Sequence, residues 1–457
     1  MTNYPLLAHS SGQDLLALRH GQPVSAGQFL ADARRLAAAL PQGRHMLNAC
    51  ADRYRFAVGI AAALLAGKTS LLPPTLTPEM VRQIQSFAPD VFCLSDQAQS
   101  PALPRLAWAD AMESAPQGQE GHHGGAWEVP QLPASQIAAI MFTSGSTGVP
   151  VAHRKSWGSL VRSARAEARC LGLLGKQRHS IIATVPPQHM YGFESTVLLA
   201  LHGGAVLGAA HPFYPADICA ALAAAPRPRM LVTTPVHLKA LLASGLDVPP
   251  IDLLLSATAA LPPQLALDAE SRLQAPLLEI YGSTETGQIA TRRLSQGEAW
   301  TLLPDVSLST GEGRASASGG HVEQPTPLAD ELEVLPGGRF LLHGRTADLV
   351  NIAGKRSSLG YLNHQLAAIP GVLDGAFFMP DEEAGGSVVR LMAFVVAPGL
   401  TAPALLAALR ERVDAIFIPR PLVLLEALPR NSTGKLPREA LLALAREHLK
   451  KRPGHDR

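Results

Sequence analysis

"MFTSGSTGVPVAHRK", Met141 to Lys155, sets Thr143, Ser144, Gly145, Ser146, Thr147 and Gly148 in one unbroken run of hydroxyls and glycines. The preceding "QIAAIM", Gln136 to Met141, is short, apolar and in part β-branched, which predicts a buried strand. A strand that empties into such a run offers backbone N–H groups and hydroxyls together, and that combination suits phosphate oxygens. Glycine lets the backbone approach a ligand closely. Standing alone, the run reads equally well as a polar surface turn.

Outward from it, helical stretches alternate with short apolar runs. "SAGQFLADARRLAAAL" (25–40), "FAVGIAAALLAG" (56–67) and "WGSLVRSARAEARCLGL" (157–173) are helical, whereas "HSIIATV" (179–185), "IDLLLSA" (251–257) and "APLLEIYG" (275–282) are strand-like. The alternation predicts an α/β fold of helix-covered parallel or mixed sheets. Ligands of such sheets lie outside the carboxyl ends of the strands, where the Thr143 run falls. Two polar inserts, "APQGQEGHHGGAWE" (115–128) and "STGEGRASASGGHVEQPTP" (309–327), are expected as mobile loops. After about Gly344 the pattern changes to a small α/β unit, which places a domain boundary near 346/347.

A chain of 457 residues exceeds what one hydrophobic core usually serves, so at least two domains are expected. Its 39 basic and 37 acidic residues leave a net charge of +2, which gives no reason to expect nucleic acid or an anionic membrane as partner. Cys50, Cys93, Cys170 and Cys219 stand without paired spacing, against a disulfide framework or a zinc site and in keeping with the cytoplasm. The longest apolar stretch, Phe56 to Gly67, is too short to span a bilayer, and the N-terminus does not read as a signal peptide.

Four more stretches belong with the Thr143 run. "EIYGSTETG" (279–287) ends another strand in Tyr281, Gly282, Ser283, Thr284 and Glu285. "LADELEVLPGGRFLLHGRTADLVNIAGKR" (328–356) carries Asp330, Arg345 and Arg356. "VPPQHMYGF" (185–193) carries His189, and "LPRNSTGKLPR" (428–438) carries Lys435. Singly, Glu285 reads as a loop acid, His189 as a core histidine and Lys435 as a solvated lysine. In this order and spacing the set resembles the adenylate-forming superfamily of acyl- and aryl-CoA synthetases, non-ribosomal peptide adenylation domains and luciferases, over nearly the whole chain.

The resemblance implies a large N-terminal adenylation domain, 1–346, and a small mobile C-terminal α+β domain, 347–457, that brings in Lys435. It implies ATP-dependent activation of a small-molecule carboxylic acid to an acyl-adenylate, then transfer to a phosphopantetheine thiol of CoA or of an acyl carrier protein. Thr143 to Gly148 would hold the β- and γ-phosphates and Tyr281 would stack on adenine, with Gly282 and Ser283 beside it. Thr284 would bind the α-phosphate and Glu285 would hold Mg²⁺, a hard cation that prefers oxygen ligands. Asp330 and Arg345 would hold the ribose. Lys435 would bridge substrate carboxylate and phosphate as a compact point charge. Ser256, Ala257 and Thr258, in "SATAAL" (256–261), would lie beside adenine and acyl group, with Gly282. His189 would stand near the carboxylate and thiol tunnel, and Gly354 and Arg356 would face the site in the thiol-transfer state.

The chain departs from the family's pattern in three places. Val151 stands where the phosphate loop usually has lysine, which leaves Arg154 or Lys155 to supply charge. Ala347, followed by Asp348, occupies the hinge position. Ala257–Thr258 replaces a Gly-Gly pair, which narrows the expected pocket toward compact, aryl acids. These features, "HRKSW" (153–157) and "DRYRFAVGIAAALLAGKTSLLPP" (52–74) look like a branch of AMP-ligases found with aryl-polyene (xanthomonadin-type) pigment pathways. That likeness implies a hydroxyaryl acid loaded onto a carrier protein. The alternative is a degenerate, non-catalytic member that binds ATP or acyl-adenylate as a scaffold or regulator. A luciferase-like oxidase shares the motifs, and a P-loop NTPase is disfavoured because G-x-x-x-x-G-K-[ST] is missing.

Overall fold

The apolar run that ends at Thr143 forms a strand, Ile137–Thr143, whose residues 138 to 142 are all buried, as befits a strand covered on both faces. It pairs antiparallel with Val151–Ser156, Val151 opposite Thr143, and parallel with Thr69–Leu72. His45–Asn48, Phe92–Ser95 and Arg105–Ala107 complete this six-stranded sheet. The computed structural model describes residues 2–99, 101–114, 127–143, 151–175, 177–311, 314–345, 349–352, 355–380, 391–431 and 434–450.

A second, eleven-stranded sheet has a parallel centre: Leu15–Arg19, Val206–Gly208, Ser180–Ala183, Arg229–Thr233, Leu253–Ser256 and Leu277–Ser283, side by side. Beyond Leu277–Ser283 it turns antiparallel through Gly287–Arg292, Trp300–Leu302, Arg339–Arg345 and Asp330–Leu335. The fold is therefore α/β with mixed sheets.

One apolar cluster joins both sheets through the helices Ala26–Ala39, Arg53–Leu65 and Trp157–Cys170. Arg53–Leu65 starts where the Asp52 side chain accepts from Arg55 N, at 2.8 Å, and it is buried on every side from Phe56 to Leu64. Each large side chain it buries, such as Phe56 edge-on to Phe193, contributes about 1.5–3 kcal/mol. Its Arg53, fully buried, donates to the carbonyls of Ala183, Val185, Gly208 and Ala210 at 2.7–3.2 Å. One guanidinium so pins the ends of two neighbouring strands, and burial lowers its pKa to about 10.

The polar insert 309–327, expected as a mobile loop, is instead most of a three-stranded antiparallel sheet: Ser307–Gly311, Arg314–Gly319 and Val322–Pro327. Small residues conceal a period of two there, with Ala315 and Ala317 buried against Ile289 and Leu303 while their neighbours face outward. Residues 115–126 of the other insert lie outside the described residues.

From Leu349 onward the chain builds a strand pair, Leu349–Ile352 with Lys355–Ser358, and a three-stranded sheet of Asp374–Phe378, Met392–Val396 and Leu422–Leu424. Helices Leu359–Ala367, Ala402–Arg410 and Arg438–Lys450 flank them, over two apolar clusters drawn only from this part of the chain. It touches the larger part where Lys239 Nζ donates to the Leu373 carbonyl and where Gly434 packs on Val236. Among the described residues no helix is long and apolar enough to cross a membrane, and no cysteine is in a disulfide.

Candidate active site

Thr143 ends its strand half-buried, with Oγ1 at 2.9 Å from His153 Nε2; Ser144, Gly145, Ser146, Thr147 and Gly148 lie outside the described residues. His153 Nε2 is also 3.5 Å from Glu285 Oε1. Further along the same strand, Lys155 is buried and its Nζ donates to the Glu285 carbonyl at 2.8 Å. Residues 151, 153 and 155 share one face of their strand, and Arg154 lies on the other, exposed. Of the two candidates to replace the missing lysine charge, it is Lys155 that reaches the site, together with His153. The period of two could have placed His153 there from sequence.

Tyr281 to Gly287 form a tight return between antiparallel strands. A register shift after Tyr281 sets Gly282 opposite Gln288, and a Cβ on Gly282 would meet the Gly287 carbonyl at 2.2 Å, so only glycine fits. Ser283 and Thr286 close the return through hydroxyl and amide bonds of 3.2 Å. This leaves Thr284 half-buried and Glu285 exposed at the tip, beside Thr143 and His153. Burial would raise Glu285, but hydrogen bonding from the backbone and Ser283, with the charges of His153 and Lys155, holds its carboxyl below the usual range. It is an ionised oxygen ligand near hydroxyls, and this donor set fits a hard divalent cation.

Behind the return lies a buried polar frame that no local motif announces. Gln288 N donates to Glu194 Oε2 at 3.2 Å and Gln288 Nε2 to Glu167 Oε2 at 2.6 Å. Ser195 Oγ donates to Glu167 Oε1 and Ser163 Oγ to Glu194 Oε1, at 2.6 and 2.7 Å. Glu194 and Ser195 belong to a π-helical turn, Phe193–Leu198, a distortion common at functional sites. Burial pushes the Glu167 carboxyl up to about 8 and that of Glu194 up to about 7, with Lys155 and the hydrogen bonds pulling Glu194 back.

On the other flank, Tyr281 packs 5.6 Å from Trp300 and 5.5 Å from Phe340, and its hydroxyl donates to Asp330 Oδ2 at 2.6 Å. The resemblance implies a nucleoside-binding role for both residues, but the sequence did not reveal this bond. Arg345 stands in register opposite Asp330, and Arg356 lies on the strand Lys355–Ser358. Gly354 and Ala347 lie outside the described residues. Ser256 ends a central strand fully buried, and its Oγ has no hydrogen-bond partner among the described residues. Ala257 is buried and Thr258 half-buried just beyond it.

Lys435 lies in a loop of the small C-terminal unit, close enough for its charge to act on His189. Its loop closes on Asn431, whose Oδ1 accepts from Lys435 N and whose carbonyl accepts from Gly434 N, both at 2.9 Å. Arg430, paired with Asp374 at 2.7 and 2.8 Å, anchors the loop. The charge of Lys435 is felt at His189, where burial first, then Lys435 and His211, lower the imidazole to about 4. His189 is therefore neutral at physiological pH.

A strand end and a tight return meet, with an aromatic and an acid on the flank, and the charge of a loop lysine from the C-terminal unit acts on His189. This defines an enzyme of the adenylate-forming kind. The family described as AMP-binding enzyme matches residues 8–315. The chain is 34% identical over 277 residues to a 4-coumarate–CoA ligase of Rhodobacter capsulatus, covering 61% of this chain and 68% of that one. It is 32% identical over 312 residues to one of Halorhodospira halophila, covering 64% and 73%. Its fold is similar to that of o-succinylbenzoate–CoA synthetase from Bacillus subtilis, solved with its acyl-adenylate intermediate, at a TM-score of 0.81 and 20% identity over 96% of this chain and 98% of that one. The chain belongs to the AMP-binding enzyme family and is an AMP-forming acid–thiol ligase.

Proposed function

We propose that the enzyme activates a compact aryl carboxylic acid with Mg-ATP and passes the acyl group to a phosphopantetheine thiol. The observation that carries this is the cluster of Thr143, His153 and Glu285 at the strand ends, with the charge of Lys435 acting on His189 beside it in support. A carboxylate is a poor electrophile and must first gain a good leaving group. Its oxygen attacks the α-phosphorus of ATP, and the bond to pyrophosphate breaks. Lys435 neutralises charge moving from carboxylate to phosphate, so positioning and electrostatics carry the step. Glu285, with the Thr143 and Thr284 hydroxyls at hand, would hold magnesium, which supplies further neutralisation of the phosphates. Tyr281 would hold adenine, Asp330 and Arg345 the ribose, and Ser144 to Gly148 the outer phosphates. In the second half-reaction the thiol sulfur attacks the acyl carbonyl and AMP leaves. Residues 1–346 form the adenylation domain, and 347–457 the unit that carries Lys435 and, for thiol transfer, Arg356.

The aryl preference is supported by the bulk of Ala257 and Thr258 and by relatives named for 4-coumarate. ATP–pyrophosphate exchange across a panel of acids tests it: benzoate- and cinnamate-sized acids should exchange fastest, and fastest exchange with palmitate-length acids refutes it. For the acceptor, the relatives' names favour CoA, whereas the likeness to pigment-pathway AMP-ligases favours a holo carrier protein. Single-turnover transfer to each at equal concentration separates the two.

A further inference from the structure

The helix Pro235–Ala243 leaves the carboxyl end of the central strand Arg229–Thr233. Thr234 starts it, its side chain accepting from His237 N at 3.4 Å, and Pro235 opens the first turn with φ fixed. Leu238, Leu241 and Leu242 sink one face of the helix into the core. That leaves Val236 and Lys239, three residues apart, as neighbours on the exposed face.

The C-terminal unit meets this face at both residues. Lys239 Nζ donates to the Leu373 carbonyl, just before the strand Asp374–Phe378. Gly434 lies against Val236: a Cβ there would stand 3.0 Å from Val236 Cγ2 and 3.7 Å from Thr234 Oγ1, and its φ of 76° also suits glycine. Within the unit, Arg430 joins the two points of contact. Its guanidinium takes the Asp374 carboxylate in two bonds, of 2.7 and 2.8 Å, and its Nη1 donates to the Gly434 carbonyl at 2.9 Å. Such a planar fork fixes direction as well as distance. The charges act on one another: burial lowers the Lys239 ammonium, Asp374 raises it again and Arg430 lowers it. Helix, Leu373–Asp374, Arg430 and Gly434 thus close a ring, and the residue that follows Gly434 is Lys435.

We propose that Lys239 is a positioning residue for acid activation: from the large domain it seats the C-terminal unit so that the loop beyond Gly434 presents Lys435 to the reacting carboxylate and α-phosphate. The proposal rests on the acid-activating reading above and adds the contact that sets Lys435 in place. ATP is held by groups of the large domain in that reading, so loss of the seat falls on kcat rather than on KM. Thiol transfer, for which the reading turns Arg356 to the site, does not need it.

Lys239→Met and Lys239→Arg test it. The position is exposed, so both variants should melt with the parent. In pyrophosphate exchange Lys239→Met should lose about tenfold in kcat with KM for ATP unchanged, since a misplaced catalytic group weakens the transition state alone. Lys239→Arg keeps a cation able to reach a carbonyl and should recover most of that rate. Thioester formation from supplied acyl-adenylate should be as fast in Lys239→Met as in the parent. Undiminished exchange in Lys239→Met, or a loss shared equally by both half-reactions, would overturn the positioning role. Absence of exchange by the parent with any acid would instead sink the acid-activating reading, and this proposal with it.

Discussion

Lys155→Met keeps most of the buried stem and removes the ammonium. The lost bond to the Glu285 carbonyl is charge-assisted, and such bonds contribute about 1.5–3 kcal/mol. A second contribution comes through Glu194, whose carboxyl burial has already pushed up to about 7 with Lys155 pulling the other way. Because the folded value lies above the ordinary 4.5, the stability linked to Glu194 is full below pH 4.5 and is lost as pH rises through 7. Without Lys155 the carboxyl keeps its proton to higher pH, and the loss continues at about 1.4 kcal/mol for each pH unit over which it does so. The gap between parent and variant should therefore be about 1.5–3 kcal/mol at pH 6 and wider at pH 8.5. Since the bond holds the residue proposed for magnesium, kcat/KM for Mg-ATP should fall about 10–100-fold. Thermal melts at the two pH values and pyrophosphate exchange at one measure these effects, and Glu194→Gln in the same chain should erase the alkaline widening. Equal gaps at pH 6 and 8.5, or an unchanged kcat/KM, would refute the reasoning.

Lys435→Ala should lower adenylation by about 10²–10³ while leaving thioester formation from supplied acyl-adenylate largely intact; equal loss in both half-reactions counts against its assignment. Glu285→Gln, at an exposed tip, should change stability by no more than about 1 kcal/mol yet weaken Mg-ATP use, and a normal Mg²⁺ dependence of turnover would show that another residue holds the metal. Glu167, pushed up to about 8, makes the parent lose stability as pH rises from 4.5 to 8; Glu167→Gln, which imitates the neutral acid toward Ser195 and Gln288, should flatten the melting temperature over that range. Parallel melting curves for parent and variant would show that Glu167 does not titrate there.

The sequence by itself determined the class of fold and the adenylate-forming chemistry, and it named most of the residues gathered in the proposed site. Those signals are local: an apolar strand emptying into a hydroxyl-rich run, a second strand ending in Tyr281 to Glu285, a lysine in a closed turn. Each survives in a short window because the conformation it needs is encoded by neighbouring residues. The partners behind them are not local. Lys155 finds the Glu285 carbonyl 130 positions away, and Gln288 finds Glu167 across 121, so only the packing of both sheets around their shared helices brings them together. Small residues hid the strands at 309–327, since alanine and serine alternate too weakly in hydrophobicity to mark a face. The positive φ of Thr258, 79°, was invisible for a related reason: a residue's backbone conformation is imposed by what anchors the chain on either side of it, and that is decided by the tertiary structure alone.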